Sequence, residues 1–393
     1  MTTLVLRIKM IKNMQTHYHI IIAGAGGIAE AAGLLLAEWS SVAPTIFIGD
    51  CNFEKAKKVA QWIENGASKN CKVIPYYLNS EEITEEMKSI FNKGDALLDC
   101  LPGKLAPKMA QFSIDFNLYY ANLTEYVAET NQILEIGKTS NTGFVLQTGL
   151  APGYIDVLAN YMFQQFCNQY NVAEVDCLEF KVGALTTNAV APHYYGFTWS
   201  PIGVATEYVK ECIALRNFKK VNLPALSERA TLIIDGIAYE EDLTSGGAAD
   251  LPDALSGKVK KLDYKTLRHP GHYDWVDKQL NKIKNSDAII TDLQEIMLSE
   301  IPLVEDDQIV LYVAVEGKDD KGNLRRQEIS KHIKPQKVGK HLLRAIQTTT
   351  AAPLVQSIHW LLENKPKGIT LQSQLDASTF LNGAFVKRVY GEV

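Results

Sequence analysis

Apolar and polar positions alternate along the first 150 residues with two different periods, which predict strands and helices in turn. The apolar run at residues 20–23 predicts a buried strand that leads into a glycine cluster. A helix is predicted next, because apolar residues recur at helical spacing at Ile28, Ala31, Ala32, Leu35, Leu36 and Trp39. A second apolar strand, at residues 45–50, ends in an acid, Asp50.

The alternation continues up to residue 150. Further strands are predicted at residues 71–75, 96–100, 118–123 and 143–147, with helices between them. Strands that alternate with helices of this length pair in parallel through crossover connections. The first part of the chain therefore predicts an α/β fold with a doubly wound parallel sheet.

The pattern changes beyond about residue 175. Strands are predicted at residues 175–183, 194–199, 219–223 and 232–239, and a hairpin at residues 308–315 and 323–332. The longer, antiparallel-style connections favour a second, mixed sheet. A strong helical pattern covers residues 339–363, where Pro353 is expected to break or kink the helix.

Length and charge narrow the class of protein. A chain of 393 residues is long enough for two cores, and 46% hydrophobic with 22% charged residues is ordinary for a globular protein. The net charge of −5 disfavours nucleic acid and anionic membranes as partners. No apolar run approaches the roughly 20 residues of a membrane span. Residues 1–17 do not resemble a signal peptide and are expected to be a disordered extension, with Met14 as an alternative start.

Cysteine and histidine usage argues against a metal. The six cysteines form no C-x-x-C pair and no zinc-ligand spacing, and the eight histidines form no H-E-x-x-H motif. We therefore expect neither a structural nor a catalytic metal, and we expect a reducing, cytoplasmic compartment. The sequence also contains no recognisable serine or cysteine nucleophile constellation.

The glycine cluster after the first strand carries the clearest chemistry. It reads Gly24-Ala25-Gly26-Gly27-Ile28-Ala29 and stands between a predicted strand and a predicted helix. Glycines let the backbone turn sharply and approach a pyrophosphate, which the N-terminal amides of the helix then hold. Asp50 stands where the 2′-hydroxyl of an adenosine ribose would lie. We interpret the cluster and Asp50 as a dinucleotide site; the alternative is a glycine-rich turn in an unrelated parallel sheet.

Asp50 also predicts the cofactor. Its carboxylate would accept hydrogen bonds from the ribose of NAD and would repel the 2′-phosphate of NADP. The next residues, Cys51 and Asn52, supply no cation for that phosphate. NAD is therefore expected rather than NADP, unless Lys55 reaches the phosphate.

Three loops follow the carboxyl ends of predicted parallel strands, where such sheets bind their ligands. They are residues 101–103, 123–125 and 149–153. The alternative is that these residues only form turns, because proline and glycine are common in loops of any kind. The shared position favours contact with the ligands, and the residues assigned to the cofactor are Leu101, Pro102, Thr124, Ala151 and Pro152.

Three segments of the second half are candidates for binding the substrate. Residues 197–201 end a predicted strand and open a helix, with Ser200 as N-cap and Pro201 in the first position. Residues 242–250 form a small-residue loop, and residues 266–272 centre on a Pro-Gly turn beside an arginine. Each has a structural alternative: a cap, a mobile loop or a braced turn. The residues assigned to the substrate are Thr198, Trp199, Ser245, Gly246, Gly247, Arg268 and His272.

Taken together, these motifs resemble the saccharopine dehydrogenase (glutamate-forming) family and its relative lysine 6-dehydrogenase. The most specific parts are residues 197–201 and 265–272, which follow the Gly-Leu-Ala-Pro-Gly turn at 149–153. The resemblance implies a Rossmann domain closed by the C-terminal helix, with an inserted α/β domain similar to dihydrodipicolinate reductase. It also implies reversible hydride transfer between a nicotinamide and the carbon of an amine.

We place the Rossmann domain at residues 18–155 and the substrate domain at residues 156–340. The C-terminal helix and tail, residues 341–393, are expected to return to the first domain. We also expect the protein to be a homodimer.

Two positions depart from the saccharopine-forming branch of the family. That branch usually has an arginine for a substrate carboxylate where this chain has Ile202, and it tends to have an aspartate where this chain has Ala151. The turn at 149–153 and the segment at 47–52 are more similar to lysine 6-dehydrogenase. A lysine-derived amino acid is expected as the substrate, and the choice between the two branches stays open.

Amine oxidation is assisted by a general base near the nicotinamide, with a pKa that burial draws toward neutrality. Glu125 is the candidate and is also assigned to substrate binding, because it directly follows a predicted strand at the cofactor edge. It would equally serve as a helix cap, where an acid is favoured. A Rossmann-type sensor or scaffold that catalyses nothing would carry the same glycine motif, although it has no need of a second domain with convergent polar loops.

Overall fold

The computed structural model describes residues 17–125 and 127–393, so the predicted N-terminal extension lies outside the described residues except for His17. In chain order the strands are β1 (His19–Ala23), β2 (Thr45–Asp50), β3 (Lys72–Tyr77), β4 (Ala96–Asp99), β5 (Tyr119–Asn122), β6 (Gly143–Val145), β7 (Val175–Thr186), β8 (Cys212–Arg216), β9 (Lys219–Leu223), β10 (Ala230–Ile234), β11 (Ile237–Leu243), β12 (Val259–Arg268), β13 (Asp307–Lys318), β14 (Leu324–Ile333), β15 (Gln336–Val338), β16 (His341–Leu343) and β17 (Gly368–Thr370).

The α-helices connect these strands. In chain order they are α1 (Gly27–Trp39), α2 (Phe53–Gly66), α3 (Glu85–Phe91), α4 (Ala106–Asp115), α5 (Val127–Ile136), α6 (Tyr154–Tyr170), α7 (Pro201–Val209), α8 (Leu251–Ala254), α9 (His272–Ile283), α10 (Ile289–Glu300), α11 (Ala345–Asn364), α12 (Ala377–Leu381) and α13 (Val386–Tyr390). In the described part of the chain, no helix has the length and apolar character that crossing a membrane requires.

Seven strands form a parallel sheet in the order β17-β6-β5-β4-β1-β2-β3. Strand β1 lies between β2 and β4. From β1 the strand order continues through β2 and β3 on one side and through β4, β5 and β6 on the other. This switch point is where doubly wound sheets open a crevice for ligands. All six residues of β2 are buried, as expected for a strand covered by helices on both faces. The predicted α/β fold with a doubly wound sheet is confirmed.

The second sheet is mixed, as predicted. Its main path runs β10-β11-β12-β7-β13-β14, and β8 joins it by pairing with β12 and β9. Strands β7 and β12 pair in parallel, whereas the other neighbours are antiparallel. Helix α6 packs against β7 and β13 and thereby connects this sheet to the first one.

The C-terminal part of the chain returns to the parallel sheet. Helix α11 packs against α1, and β17 pairs with β6 at the edge of the sheet. The start of α11 is held by the second sheet, because the carboxylate of Asp307 accepts hydrogen bonds from the amides of Ala345 (2.8 Å) and Ile346 (2.7 Å). This acid therefore acts as a helix cap supplied from a distant part of the chain.

Two predicted strands were wrong. Residues 194–199 form an irregular segment whose apolar side chains, Tyr195 and Phe197, pack among helices, so their alternation reflects burial and not sheet pairing. Residues 232–239 are a hairpin and not one strand. It turns at Asp235 and Gly236, which both have positive φ, as the Asp-Gly hairpin turn requires.

The late helix starts later than predicted and is not broken by its proline. Strands β15 and β16 form a small hairpin where the helical pattern was expected to begin, and α11 starts at Ala345. Pro353 lies inside α11, which continues to Asn364.

Candidate active site

The glycine turn between β1 and α1 leaves room for a ligand at one of its glycines and needs a glycine at another. Gly24 has a φ of +99°, and a Cβ there would lie 2.9 Å from the carbonyl oxygen of Cys100 in the neighbouring strand end. At Gly26, the N-cap of α1, an added Cβ would meet no described heavy atom within 4 Å. The backbone at the start of α1 is therefore open to close approach at Gly26, as a phosphate-binding helix N-terminus requires.

Asp50 is fixed next to this turn. Its Oδ2 accepts a hydrogen bond of 2.9 Å from the amide of Ala25, and its Oδ1 accepts one of 2.9 Å from the amide of Asn52. The ammonium of Lys55 lies 3.8 Å from Oδ2. The acid expected to recognise a ribose and the lysine able to reach a phosphate thus stand side by side.

The other residues of the glycine motif have structural roles or lie further along the site. Ala25 and Ala29 are buried in the core between sheet and helices, and the carbonyl of Gly27 accepts a hydrogen bond of 3.0 Å from Gln347 of α11. Ile28 contributes to the wall of the cavity described next.

A cavity of about 420 Å³ lies between the strand-end loops of the parallel sheet and the second sheet with its helices. The first domain contributes predicted ligand residues from all three loops and from α1: Ile28, Leu101, Pro102, Thr124, Glu125, Ala151 and Pro152. The other wall contains Trp199, Ser200, Ile202, Glu207, Tyr264, Thr266 and Arg268. Three cofactor loops and two substrate segments, far apart in sequence, therefore meet at one place.

The remaining predicted substrate residues lie around this cavity and not in its wall. Thr198 is buried, and its carbonyl accepts a hydrogen bond of 3.4 Å from Arg344. Gly247 packs against the ring of Tyr264, where a Cβ would come within 2.1 Å. Ser245 and Gly246 line a second cavity, and His272 lies behind the first.

Two local predictions hold at this wall. Helix α7 begins at Pro201, and the Ser200 hydroxyl accepts a hydrogen bond from the amide of Gly203. The Pro-Gly segment forms a type II turn: Gly271 has φ 93° and ψ −11°, and the amide of His272 donates to the carbonyl of His269.

Arg268, at the end of β12, is 1% exposed and held on three sides. Its Nε donates to the Tyr208 hydroxyl (2.6 Å), its Nη1 donates to the carbonyl of Leu267 (3.1 Å), and its face lies 4.9 Å from the ring centre of Tyr195. Its Nη2 has no hydrogen-bond acceptor among the described residues, although Glu207 Oε2 lies 3.7 Å away. A buried, charged donor without an acceptor on a cavity wall is suited to bind an anionic group.

Glu125 and Glu207 bring two carboxyl groups to the same cavity from opposite sides. Burial raises the pKa of Glu207 to about 8; Arg268 opposes this shift and Glu125 adds to it. Burial also raises the pKa of Glu125, against the effects of its own backbone amide and of Lys210. A carboxyl group with a pKa of about 8, as at Glu207, can exchange a proton with a substrate near neutral pH, and the pKa of Glu125 is shifted in the same direction. The alternative role of Glu125 as a helix cap involves residue 126, which lies outside the described residues.

Glu207 was not among the site residues predicted from the sequence. Its signal was nonetheless available, because Glu207 lies seven residues after Ser200, the N-cap of α7. Two helical turns separate the two residues, so both lie on one face of the segment. Because Ser200 belongs to a predicted substrate segment, an acid on the same helix face is a candidate to line the same cavity wall.

The second cavity, of about 480 Å³, adjoins the first through Glu125 and Glu207, which line both. Its wall also includes the polar side chains of Asn131, Lys210, Glu211, Asn222 and Ser245. The two carboxyl groups therefore stand between the cavity beside the cofactor loops and a second cavity next to it.

Comparison with known families identifies the class of protein. Residues 20–140 match the saccharopine dehydrogenase NADP binding domain, and residues 149–389 match the saccharopine dehydrogenase C-terminal domain. The second match alone spans more than half of the 393 residues. The chain belongs to the saccharopine dehydrogenase family, a family of oxidoreductases, and it carries the NAD(P)-binding domain of that family.

Solved structures show the same fold. Saccharopine dehydrogenase (L-Glu forming) from Saccharomyces cerevisiae is similar with a TM-score of 0.69 at 13% identity, over 94% of this chain and 96% of that chain. Homospermidine synthase from Legionella pneumophila, in complex with NAD, is similar with a TM-score of 0.66 at 12% identity, over 96% of this chain and 90% of that chain.

Proposed function

We propose that this protein is an NAD-dependent dehydrogenase that oxidises the CH–NH group of a lysine-derived amino acid, in a reversible reaction. The observation that carries the proposal is the meeting of Arg268 with Glu125 and Glu207 in one cavity, against the strand-end loops of a dinucleotide-binding sheet. The arrangement offers an anion-binding group, two proton-exchanging groups and a place for a nicotinamide.

The residues of the first domain fit a dinucleotide. The open space at Gly26 and the first amides of α1 suit the pyrophosphate, and Asp50 suits the adenosine ribose. The loops with Leu101 and Pro102, with Thr124, and with Ala151 and Pro152 would line the path to the nicotinamide. When bound, the nicotinamide supplies the hydride acceptor. We favour NAD over NADP because the Asp50 carboxylate is buried beside the glycine turn, where it would repel a 2′-phosphate.

Arg268 would hold a carboxylate of the substrate. Arg268 lies in the cavity wall, its buried Nη2 has no hydrogen-bond acceptor among the described residues, and the guanidinium is already fixed through Nε and Nη1. Charge-assisted hydrogen bonds to a carboxylate would use the remaining donors and compensate the buried charge.

The two carboxyl groups would control the protonation of the amine. An amine must be deprotonated before its carbon can release a hydride. We assign Glu125 as the general base, because it lies on the loop that also carries the cofactor residue Thr124. Glu207, which burial keeps protonated up to about pH 8, would remain the neutral partner on the other wall.

Lysine and saccharopine are the two candidate substrates, and a specific observation favours each of them. Ile202 and Ala151 both line the first cavity, where Arg268 is the one cationic side chain of the described wall. This favours a substrate with a single carboxylate, such as lysine. The second cavity has Lys210 in its wall, and this favours a secondary amine with a second, negatively charged arm, such as saccharopine.

A substrate panel separates these proposals. Purified protein is incubated with NAD or NADP and with lysine, saccharopine, ornithine or glutamate, and the absorbance of the reduced nicotinamide is followed. We expect turnover of lysine or saccharopine and none without an amine. Tight NAD binding without turnover of any amino acid would support the sensor or scaffold interpretation.

A further inference from the structure

The histidine of the Pro-Gly turn belongs to a hydrogen-bonded chain that ends at Arg268. Arg268 Nε lies 2.6 Å from the Tyr208 hydroxyl, which lies 3.0 Å from His272 Nε2. On the other side of the ring, His272 Nδ1 lies 2.7 Å from the carbonyl oxygen of His193. The chain joins three segments: the loop before α7, α7 itself and the turn that starts α9.

The donors in this chain can point in only one direction. The His193 carbonyl is an acceptor, so His272 Nδ1 must carry the proton, and Nε2 of the neutral ring must accept. The Tyr208 hydroxyl therefore donates to His272 and uses its lone pair to accept from Arg268. Burial first, and then the charge of Arg268, lower the pKa of His272 to about 3, so the ring is neutral near neutral pH.

We propose that Tyr208 and His272 are positioning residues, which hold the guanidinium of Arg268 in the orientation that a substrate carboxylate needs. Both are buried, and neither lines the cavity, so they act through Arg268. The hydrogen bonds of Nε to Tyr208 and of Nη1 to Leu267 block rotation of the guanidinium and leave Nη2 as the nitrogen without an acceptor among the described residues. The inference rests on the proposed role of Arg268 and explains why a histidine stands outside the cavity in the turn that was assigned to the substrate.

The first test needs no turnover. Protein labelled with ¹⁵N-histidine and saturated with NAD is titrated with pentanoate, a simple carboxylate, and followed by NMR. We expect a neutral His272 protonated at Nδ1 between pH 6 and 9. We expect Tyr208→Phe, which keeps the ring and loses the hydroxyl, to weaken pentanoate binding about tenfold.

A matched control and a rescue distinguish positioning from folding. Tyr239 is buried with a hydroxyl that has no hydrogen-bond partner among the described residues, so Tyr239→Phe should leave pentanoate binding unchanged. His272→Gln keeps an acceptor near Nε2 and should bind within about threefold of the wild type. His272→Asn places its amide at Nδ1 only and should behave like Tyr208→Phe. In steady-state kinetics the Tyr208→Phe loss should appear in KM, with kcat nearly unchanged.

The outcomes are separable. An Nε2-protonated His272, or equal pentanoate affinity in Tyr208→Phe and the wild type, overturns the positioning role. A wild type that does not bind pentanoate overturns it as well. If pentanoate binds as expected but no amine is oxidised, the positioning role stands and the proposed function fails.

Discussion

The hydroxyl of Tyr390 donates a hydrogen bond of 2.5 Å to the carbonyl oxygen of Thr349, across 41 residues of chain. Thr349 is the residue whose carbonyl would accept from residue 353 in a regular helix, and Pro353 has no N–H to donate. Tyr390 therefore replaces the missing helical donor. This contact, in a fully buried region, explains why α11 continues through its proline.

Tyr390 and Pro353 should therefore be energetically coupled. Tyr390→Phe leaves the buried carbonyl of Thr349 without a donor and should lower the free energy of unfolding by about 1–2 kcal/mol. In a Pro353→Ala background the restored amide can donate instead, and the same substitution should cost less than about 0.5 kcal/mol. Urea unfolding of the four proteins measures the difference. Equal costs in both backgrounds would show that the tyrosine does not compensate for the proline.

The parallel sheet was predictable because its signals are local. Strands β1 and β2 are short apolar runs between turn residues, and the spacing of Gly24 and Gly26 before a helical pattern defines the loop between them. In the second half the signals compete. The alternation at Tyr195 and Phe197 is produced by packing against helices, which a two-residue period does not distinguish from sheet pairing.

Other features depend on contacts that no local pattern contains. The start of α11 is set by Asp307 from another sheet, and its passage through Pro353 depends on Tyr390. The Asp235-Gly236 pair is a local hairpin motif, although residues 232–239 were predicted as one strand. At the site, the sequence pointed to the loops and to Arg268, but it did not show that Glu207 would lie opposite Glu125.

Two glycines of one turn should respond in opposite ways. Gly26→Val adds a side chain into open space, so we expect NAD affinity to fall about 100-fold or more while the melting temperature stays within about 2 °C. Gly24→Ala places a Cβ 2.9 Å from the Cys100 carbonyl at a φ of +99°, and it should cost about 1–3 kcal/mol of stability. Calorimetry and thermal unfolding measure both. Unchanged NAD binding by Gly26→Val would mean that the pyrophosphate lies elsewhere.

The cofactor choice depends on Asp50 and Lys55. Because the carboxylate repels a 2′-phosphate, kcat/KM with NAD should exceed that with NADP by about tenfold or more. Lys55→Ala should widen this ratio, since the ammonium 3.8 Å from Asp50 is the cation placed to reach a phosphate there. Lys57→Ala, at a lysine paired with Glu54, is the control. A wild type that uses NADP as well as NAD would contradict the assignment.

Glu207 should make the protein less stable as the pH rises. Its pKa is about 8 in the folded protein and near 4.5 without burial, so between these values the folded state holds a proton that the unfolded chain has released. The contribution of protonated Glu207 to the free energy of unfolding is fully present below about pH 4.5 and is lost progressively up to about pH 8. Glu207→Gln removes this loss, and it should gain about 1–3 kcal/mol relative to the wild type at pH 8.

At pH 5 the Glu207→Gln protein and the wild type should unfold at nearly the same temperature. The control is Glu211→Gln, which removes an exposed carboxylate from the wall of the neighbouring cavity. A stability difference that is the same at pH 5 and pH 8 would show that Glu207 is not protonated by burial.

Arg268 should act on the substrate and not on the cofactor. Arg268→Ala is expected to raise the KM for the amine by about 100-fold and to leave NAD affinity nearly unchanged, because its charge-assisted hydrogen bonds to a carboxylate are lost. Arg268→Lys should restore little if the contact is bidentate. If Arg268 only braces the Pro270-Gly271 turn, the variant would instead show a large drop in melting temperature with normal kinetics at low temperature.

Progress curves of cofactor reduction test the proposed amine dehydrogenase activity most directly. Wild-type protein with saturating NAD is mixed with lysine or with saccharopine, and the formation of reduced nicotinamide is recorded beside the Glu125→Gln protein. We expect steady turnover of at least one of the two amines by the wild type, and a rate at least about 100-fold lower with Glu125→Gln. Tight NAD binding with no reduction by either amine, or an unchanged rate in Glu125→Gln, would contradict this expectation.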